Sequence, residues 1–96
     1  MKSEKEKMLA GELYYSSDAE LAREREYARH LLFEFNHSRP SDKEKRQEIL
    51  SCLISAKGSF HIEAPFYCDY GYNIEVGENF YANFGCIILD VNKVKI

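Results

Sequence analysis

The sequence has no run approaching the about 20 consecutive apolar residues that a membrane-spanning helix needs, so we predict no membrane insertion. Its first residues, MKSEKEK, lack the apolar core of a secretion signal, and we therefore expect a cytoplasmic protein. The three cysteines form no CxxC pair and no other metal-binding spacing, so no metal site is predicted.

Basic residues are scarce in the second part of the chain. Residues 59–96 contain 2 basic and 5 acidic side chains, whereas residues 1–58 contain 11 of each. The second part thus has no basic stripe, which argues against a nucleic-acid-binding surface. A chain of 96 residues forms one domain at most, or part of one.

Apolar residues recur at every sixth position between Ile62 and Ile96. One register contains Ala64, Tyr70, Val76, Ala82, Ile88 and Val94, and a second contains Cys68, Ile74, Phe80 and Cys86. A period of six fits neither an α-helix, with 3.6 residues per turn, nor a strand, which alternates every two residues. It is typical of a hexapeptide-repeat β-helix, in which each side of a triangular coil takes six residues.

Three such sides make one coil, so residues 18 apart are expected to stack. The expected pairs are Ala64 on Ala82, Tyr70 on Ile88, Val76 on Val94, and Cys68 on Cys86. The spacing leaves one alternative open, a small antiparallel domain, because Val, Ile, Phe and Tyr favour strands of any kind.

Three capping boxes, each a serine followed three residues later by a glutamate, predict three helices in the first part of the chain. The boxes are Ser3 with Glu6, Ser17 with Glu20, and Ser41 with Glu44. The helices are expected over about 4–10, 18–35 and 42–56, with stops at Gly11, Pro40 and Gly58. Their apolar stripes include Met8 and Leu9; Leu21, Ala28, Leu31, Leu32 and Phe35; and Ile49, Leu50, Leu53 and Ile54.

These helices each need an apolar partner, and the coil that follows is the nearest one. We therefore predict an α+β fold in which a helical cap, residues 1–58, covers the first coils of a β-helix, residues 59–96. The chain stops within what reads as another repeat, so we expect a truncated β-helix domain, the N-terminal part of a longer protein.

Two motifs make the chain resemble the maltose/galactoside O-acetyltransferases, a branch of the hexapeptide-repeat acyltransferases. They are EFNHSRPS, within LLFEFNHSRPS, and GENFYANF, within NIEVGENFYANFGCIILD, and the resemblance also includes MLAGELY. It extends over essentially the whole chain. It implies that the β-helix is left-handed and that the protein is a homotrimer with active sites between subunits.

The resemblance also implies an activity, transfer of an acetyl group from acetyl-CoA to a sugar hydroxyl. In that family an imidazole takes the hydroxyl proton while the oxygen attacks the thioester carbonyl, with no acyl-enzyme. This general-base histidine falls beyond Ile96, as do the later coils that hold most of the CoA. No catalytic residue is therefore predicted within the 96 residues, and we expect this chain alone to be inactive.

Part of the sugar-acceptor site falls within the chain by the same resemblance. The matching positions are Asn83, Tyr81, Asp69, Asp90 and Arg25. Asn83 is also expected to project outward, because its neighbour Ala82 is assigned to the interior. Carboxylates and amides hydrogen-bond sugar hydroxyls, and aromatic faces cover the ring. Without the resemblance, all five would be read as ordinary surface or interface residues.

Two details depart from the family pattern. The acidic acceptor contact assigned to Asp90 falls at Val91 if it is one residue later, and Tyr15 and Ser16 stand where the family often has an aspartate. Because the predicted coil is truncated, a second reading is kept, a non-catalytic remnant that trimerises or binds sugar. The histidines, His30, His37 and His61, are assigned no catalytic or metal role.

Overall fold

The computed structural model describes residues 1–96, in which three helices precede seven short strands. The helices are α1 (Glu4–Leu9), α2 (Ala19–Asn36) and α3 (Lys43–Leu53). The strands are β1 (Ser55–Ala56), β2 (Phe60–Ile62), β3 (Phe66–Cys68), β4 (Ile74–Val76), β5 (Phe80–Ala82), β6 (Cys86–Ile88) and β7 (Val94–Lys95). None of the helices is long and apolar enough to cross a bilayer.

The helix starts confirm one of the three predicted capping boxes. The Ser3 hydroxyl accepts from the Glu6 amide, and the Glu6 carboxylate accepts from the Ser3 amide. At α2 the prediction is wrong, because Asp18 is the N-cap and its carboxylate accepts from the amides of residues 20 and 21. A carboxylate is a stronger acceptor than a hydroxyl, and the positive helix end favours its charge. At α3 the N-cap is Asp42, which makes no side-chain capping bond.

Helix α3 ends three residues before the predicted position. The backbone becomes extended at Ile54, and Ser55 and Ala56 pair with β4 as strand β1. Sheet hydrogen bonds thus replace the last helical turn. The strands therefore begin before residue 58, the predicted end of the helical cap.

The strands form three parallel sheets, with orders β1-β4-β7, β2-β5 and β3-β6. Each strand pairs with the one three places further along the chain, as expected when successive coils stack. The parallel pairing excludes the antiparallel alternative.

The predicted 18-residue stacking is wrong, because one coil contains 20 residues. Ala82 pairs with Ile62, Ile88 with Cys68, Val94 with Ile74, and Cys86 with Phe66. Strands β2 and β3 begin six residues apart, at 60 and 66, as do β4 and β5, at 74 and 80, but β3 and β4 begin eight apart. The 69–73 turn and the 89–93 turn supply the two extra residues in each coil.

The helices pack on the coil, as predicted, and share its core. One apolar cluster joins buried residues of α2 (Ala28, Leu32, Phe35), α3 (Ile49, Leu50, Leu53) and the strands (Ile62, Phe66, Ile74, Val76). Leu31 is partly buried against it. Asn36 fastens α2 to β3, because its side-chain amide donates to the Phe66 carbonyl (3.0 Å) and accepts from the Phe66 amide (2.9 Å).

Helix α1 lies against the two five-residue turns. Met8 is buried with Leu21 and Tyr70, whereas Leu9 stays partly exposed. The amide of Asn92, in the 89–93 turn, donates to the Leu9 carbonyl at 3.1 Å. Lys5 forms an ion pair with Glu24 of α2 at 2.7 Å. These contacts tie α1 to both α2 and the coil.

Candidate functional site

Arg25 and Asp69, two of the predicted acceptor residues, lie at the same corner of the coil. The Arg25 guanidinium donates to the Tyr70 hydroxyl (2.9 Å) and to the Ser16 carbonyl (2.7 Å). Burial and, less strongly, the Asp90 carboxylate raise the pKa of Asp69, while Arg25 and Arg29 act in the opposite direction. The structure thus brings an arginine, a carboxylate and a phenol together at the 69–73 turn.

Asp90 lies inside this corner and has no exposed surface. Its Oδ1 accepts from the amides of Asp69 (3.1 Å) and Tyr70 (2.9 Å), and its Oδ2 accepts from those of Gly71 (2.8 Å) and Asn73 (3.2 Å). The Asn73 side chain also donates to the Asp90 carbonyl. This geometry does not favour the predicted direct contact between Asp90 and a sugar acceptor. The carboxylate instead stabilises the 69–73 turn through these four hydrogen bonds.

Asn83 and Tyr81 lie at another corner, between β5 and β6. Asn83 is exposed, as predicted, and its Oδ1 accepts only from the neighbouring Phe84 amide, at 2.8 Å. Its side-chain NH₂ makes no hydrogen bond within the chain. Tyr81 is 61% exposed and stacks on His61, with ring centroids 5.4 Å apart. Both side chains are therefore available to a ligand.

The two groups of predicted residues do not form one pocket in a single copy of the chain. Asn83 precedes β6, whereas Asp69 follows β3, the strand paired with β6. The length of a three-residue strand, about 10 Å, separates the two corners. A ligand shorter than this separation therefore contacts only one of the two groups within one copy of the chain.

Sequence reasoning missed two residues beside Tyr81 and Asn83. His61 is the register partner of Tyr81, and Glu63 lies 20 residues before Asn83, with its backbone amide bonded to the Ala82 carbonyl. The His61 imidazole is hydrogen-bonded to the Glu63 carboxylate. A 20-residue coil would have revealed both positions, but the 18-residue register concealed them.

The other two histidines each lie close to the residue four positions earlier in the chain. His37 lies with its Nδ1 2.8 Å from the Phe33 carbonyl and stacks on the Phe33 ring. His30 lies 3.9 Å from Glu26 on the exposed side of α2. No group of three or more His, Cys, Asp or Glu side chains is placed to hold a metal ion.

The cysteines differ in accessibility, and this gives a first testable prediction. Burial, with the Asp90 and Asp69 charges, raises the pKa of Cys68 from 9.0 to about 12, whereas Cys52 is exposed. The thiolate is the reactive species. In the folded protein at about pH 8, a thiol reagent is therefore expected to modify Cys52 readily and Cys68 only after unfolding, as read by peptide mass spectrometry. Equal labelling of both thiols would contradict the buried position.

The same raised pKa predicts a pH dependence of stability. Below pH 9.0, Cys68 is protonated in both the folded and unfolded states, so its contribution to the free energy of unfolding is fully present. As the pH rises from 9.0 towards about 12, the unfolded chain loses this proton first, so the contribution declines.

Cys68 and Cys86 do not stack, because Cys68 pairs with Ile88.

Comparisons with known proteins agree with the architecture. Residues 7–58 match the family model described as the maltose acetyltransferase hexapeptide capping motif. A maltose O-acetyltransferase from Clostridium difficile is similar with a TM-score of 0.93 and 49% identity, over 96% of this chain and 50% of that one. A galactoside acetyltransferase solved in complex with coenzyme A is similar with a TM-score of 0.91 and 35% identity, over 99% and 48%.

The chain spans about half the length of the curated relatives it matches. A Dictyostelium discoideum relative, for example, is 45% identical over 98% of this chain but only 49% of its own length. The family model describes the helices, and the solved structures extend the similarity through the parallel strands. The chain therefore belongs to the maltose/galactoside O-acetyltransferase family of hexapeptide-repeat proteins.

Proposed function

We propose that this chain provides the acceptor side of an enzyme that moves an acetyl group from acetyl-CoA to a sugar hydroxyl. The observation that carries the proposal is the similarity to a maltose O-acetyltransferase over 96% of the chain, with 49% identity. Two further relatives of known structure contain coenzyme A or acetyl-CoA, which supports acetyl-CoA as the co-substrate.

The reaction needs an acceptor hydroxyl held against the thioester and a base to take its proton. The sugar oxygen bonds to the carbonyl carbon, the carbon–sulfur bond breaks, and CoA leaves with its sulfur. We assign the base to an imidazole outside these 96 residues, as the resemblance to the family implies. By this proposal the 96-residue chain alone does not turn over acetyl-CoA.

The residues of this chain are proposed to bind and orient the sugar. Asn83 offers an unpaired NH₂ group, and Tyr81 offers an exposed ring face to the apolar side of a pyranose. Arg25 and Asp69 offer a donor and an acceptor at the other corner. Asp90 is proposed to act indirectly, because it fixes the 69–73 turn that carries Asp69.

We propose that the complete site forms between copies of the chain in a homotrimer. The separation of the two corners supports this, because one sugar ring does not bridge them within one copy. An outward apolar face also lies between them: Tyr67 and its register partner Ile87 are 49% and 62% exposed, beside Phe84 and Leu89. Exposed apolar faces of this kind are typical of protein–protein interfaces.

The same proposal includes two finer features of the fold, a left-handed β-helix and a division into a helical cap over residues 1–58 and coils from residue 59. It also includes a cytoplasmic location. The strand pairing supports the β-helix, since each coil repeats after 20 residues in three parallel sheets. The proposed cap and the coils share residues 55 and 56, because these form strand β1, which pairs with β4.

Replacing Asn83 with alanine tests the acceptor role. We expect kcat/KM for the sugar to fall about ten-fold in the complete natural protein, because about 1.4 kcal/mol of hydrogen bonding to the acceptor is lost. The thermal midpoint should stay close to wild type, since Asn83 makes only a local bond in an exposed turn. Lys45→Ala, on an exposed part of α3, is the control and should leave both quantities unchanged.

The wild-type assay decides the proposal itself. If the complete protein transfers no acetyl group from acetyl-CoA to any neutral sugar, the proposed function is wrong. A stable trimer that binds sugar without transferring acetyl would instead support the non-catalytic alternative. Acetyl transfer by the 96 residues alone would contradict the assignment of the base to the rest of the protein.

A further inference from the structure

A groove of ≈ 430 Å³ lies between helix α3 and strand β2, within the roughly 300–1,000 Å³ typical of small-molecule sites. Three polar side chains, Lys43, Arg46 and Gln47, line it from the helix. They are three or four residues apart in sequence, so they project from the same face of α3. His61 and Glu63 line the groove from the strand side. The groove is thus a polar cleft built on two regular elements of the fold.

Arg46 is a half-buried cation of this groove that has no acidic partner. Its Nε donates to the Ser38 hydroxyl (2.8 Å) and its Nη2 to the Ser38 carbonyl (3.1 Å), both neutral oxygens. The guanidinium also lies over the Phe35 ring, 5.4 Å from the ring centroid. These contacts hold it in place, yet Arg46 takes part in none of the ion pairs of the chain. A half-buried cation without a counter-charge is unfavourable, and a bound anion would supply one.

Lys43 adds a second cation that no acidic side chain neutralises. Its side chain is exposed and forms no ion pair within the chain. Glu63 is the one carboxylate among the lining residues, and it is hydrogen-bonded to His61. Gln47 uses one N–H on the Phe60 carbonyl and keeps the second for a ligand. The groove therefore has an excess of positive charge, although the whole chain carries a net charge of −3.

The turn before α3 contributes to the same groove. Ser38 and Pro40 both fall within the EFNHSRPS motif, and Pro40 lines the groove. The Ser38 hydroxyl donates to the Phe35 carbonyl at 2.6 Å, so the oxygen that accepts from Arg46 is itself fixed. This part of the motif therefore orients Arg46 at the groove.

We propose that the groove between α3 and β2 binds a phosphate group. A guanidinium that is fixed by its own hydrogen bonds presents its remaining N–H groups to phosphate oxygens, and an ammonium adds a mobile positive charge. Lys43, Arg46 Nη1 and the second N–H of Gln47 are the donors. Phosphate is favoured over a neutral ligand because two cations line the groove and its single carboxylate is already hydrogen-bonded. Phosphate binding here does not depend on acetyl transfer elsewhere in the protein.

Titration of inorganic phosphate into the complete natural protein, followed by phosphorus NMR at constant ionic strength, tests this site. Lys43→Glu removes a donor and adds a carboxylate, so we expect the phosphate affinity to fall about ten-fold. Arg46→Lys keeps the charge but loses the planar fork, and we expect a fall of about three-fold. The matched control is Lys45→Glu, at an exposed lysine of the same helix that does not line the groove. It changes the net charge equally and should alter the affinity less than about two-fold.

Equal phosphate affinities in Lys43→Glu and Lys45→Glu would show that the anion responds only to net charge, and would overturn the site. A wild-type protein that binds no phosphate would also overturn it, whether or not that protein transfers acetyl groups. Lys43 is exposed, so its variant keeps the test valid if Arg46→Lys fails to fold.

A second titration, with saturating acetyl-CoA present, identifies the source of the phosphate group. Inorganic phosphate that still binds to the wild type identifies a free phosphate or a phosphorylated ligand other than the co-substrate. Displacement by acetyl-CoA, together with weaker acetyl-CoA binding in Lys43→Glu, assigns the groove to a phosphate of the co-substrate. Either result supports a phosphate site between α3 and β2.

Discussion

Asp90→Asn is expected to lower the free energy of unfolding by about 3–5 kcal/mol, because the buried carboxylate accepts four backbone amides. An asparagine side chain has one oxygen, which satisfies two of these amides. Its NH₂ group then faces the other two, where donor meets donor. A domain of this size has only about 5–15 kcal/mol of net stability, so much of it would be lost.

Urea denaturation followed by circular dichroism measures this loss. The control is Asp42→Asn, the same substitution at an exposed carboxylate that makes no capping bond, and it should change stability by less than about 0.5 kcal/mol. Equal urea midpoints for the two variants would show that the 69–73 turn does not depend on the Asp90 carboxylate.

Gly71→Ala is the second substitution with a large expected effect. Gly71 has φ +89°, and a Cβ built on it would lie 2.5 Å from the Leu53 carbonyl oxygen and 2.5 Å from Leu53 Cδ1. The oxygen belongs to the backbone of α3, so the turn or the helix end must move. We expect a loss of about 3 kcal/mol or more, the sum of backbone strain and overpacking.

Gly85→Ala separates these two causes. Gly85 has a similar φ of +77°, but a Cβ there meets nothing within 4 Å. This control should cost only the conformational strain, about 1–2 kcal/mol. The difference between the two thermal midpoints therefore isolates the contact with Leu53. If the variants are equally stable, the close approach of the turn to α3 is wrong.

Local features of the sequence predicted the helices well and their ends less well. The Ser3 box and the apolar stripe of α2 required only short-range spacing. The end of α3 was misjudged because Ser55 and Ala56 pair with β4, 20 residues away. A pairing partner that far along the chain outweighs the local preference for another helical turn.

The predicted six-residue step holds from β2 to β3 and from β4 to β6. It is wrong across the 69–73 and 89–93 turns, where the step is eight residues, so the predicted coil length was wrong as well. Tyr70 is apolar and buried, so it fitted a six-residue register although it lies in a turn with two additional residues. What distinguishes the turn is the left-handed Gly71 and the amide contacts of Asp90, neither of which repeats in the sequence. The same error moved His61 and Glu63 away from Tyr81 and Asn83.

The candidate site was predictable as a set of residues but not as an arrangement. Resemblance indicated Arg25 and Asp69, and the structure places them together. It also indicated Asp90, whose burial depends on a turn in the preceding coil and is invisible in the local sequence. The division of the remaining residues between two corners follows from the coil geometry alone.

The bond between Asn92 and the Leu9 carbonyl has a consequence for the order of assembly. It joins residues 83 positions apart, and closing a flexible loop of that size costs about 4 kcal/mol by the (3/2)RT ln n rule. Helix α2 and the strands make nearer contacts, which recover free energy sooner. During synthesis, α1 emerges before α2 and the strands, and its contacts with α2 through Met8 and Lys5 form as soon as α2 is made. Its bond to Asn92, in contrast, waits for the 89–93 turn, so the contacts of α1 are completed last.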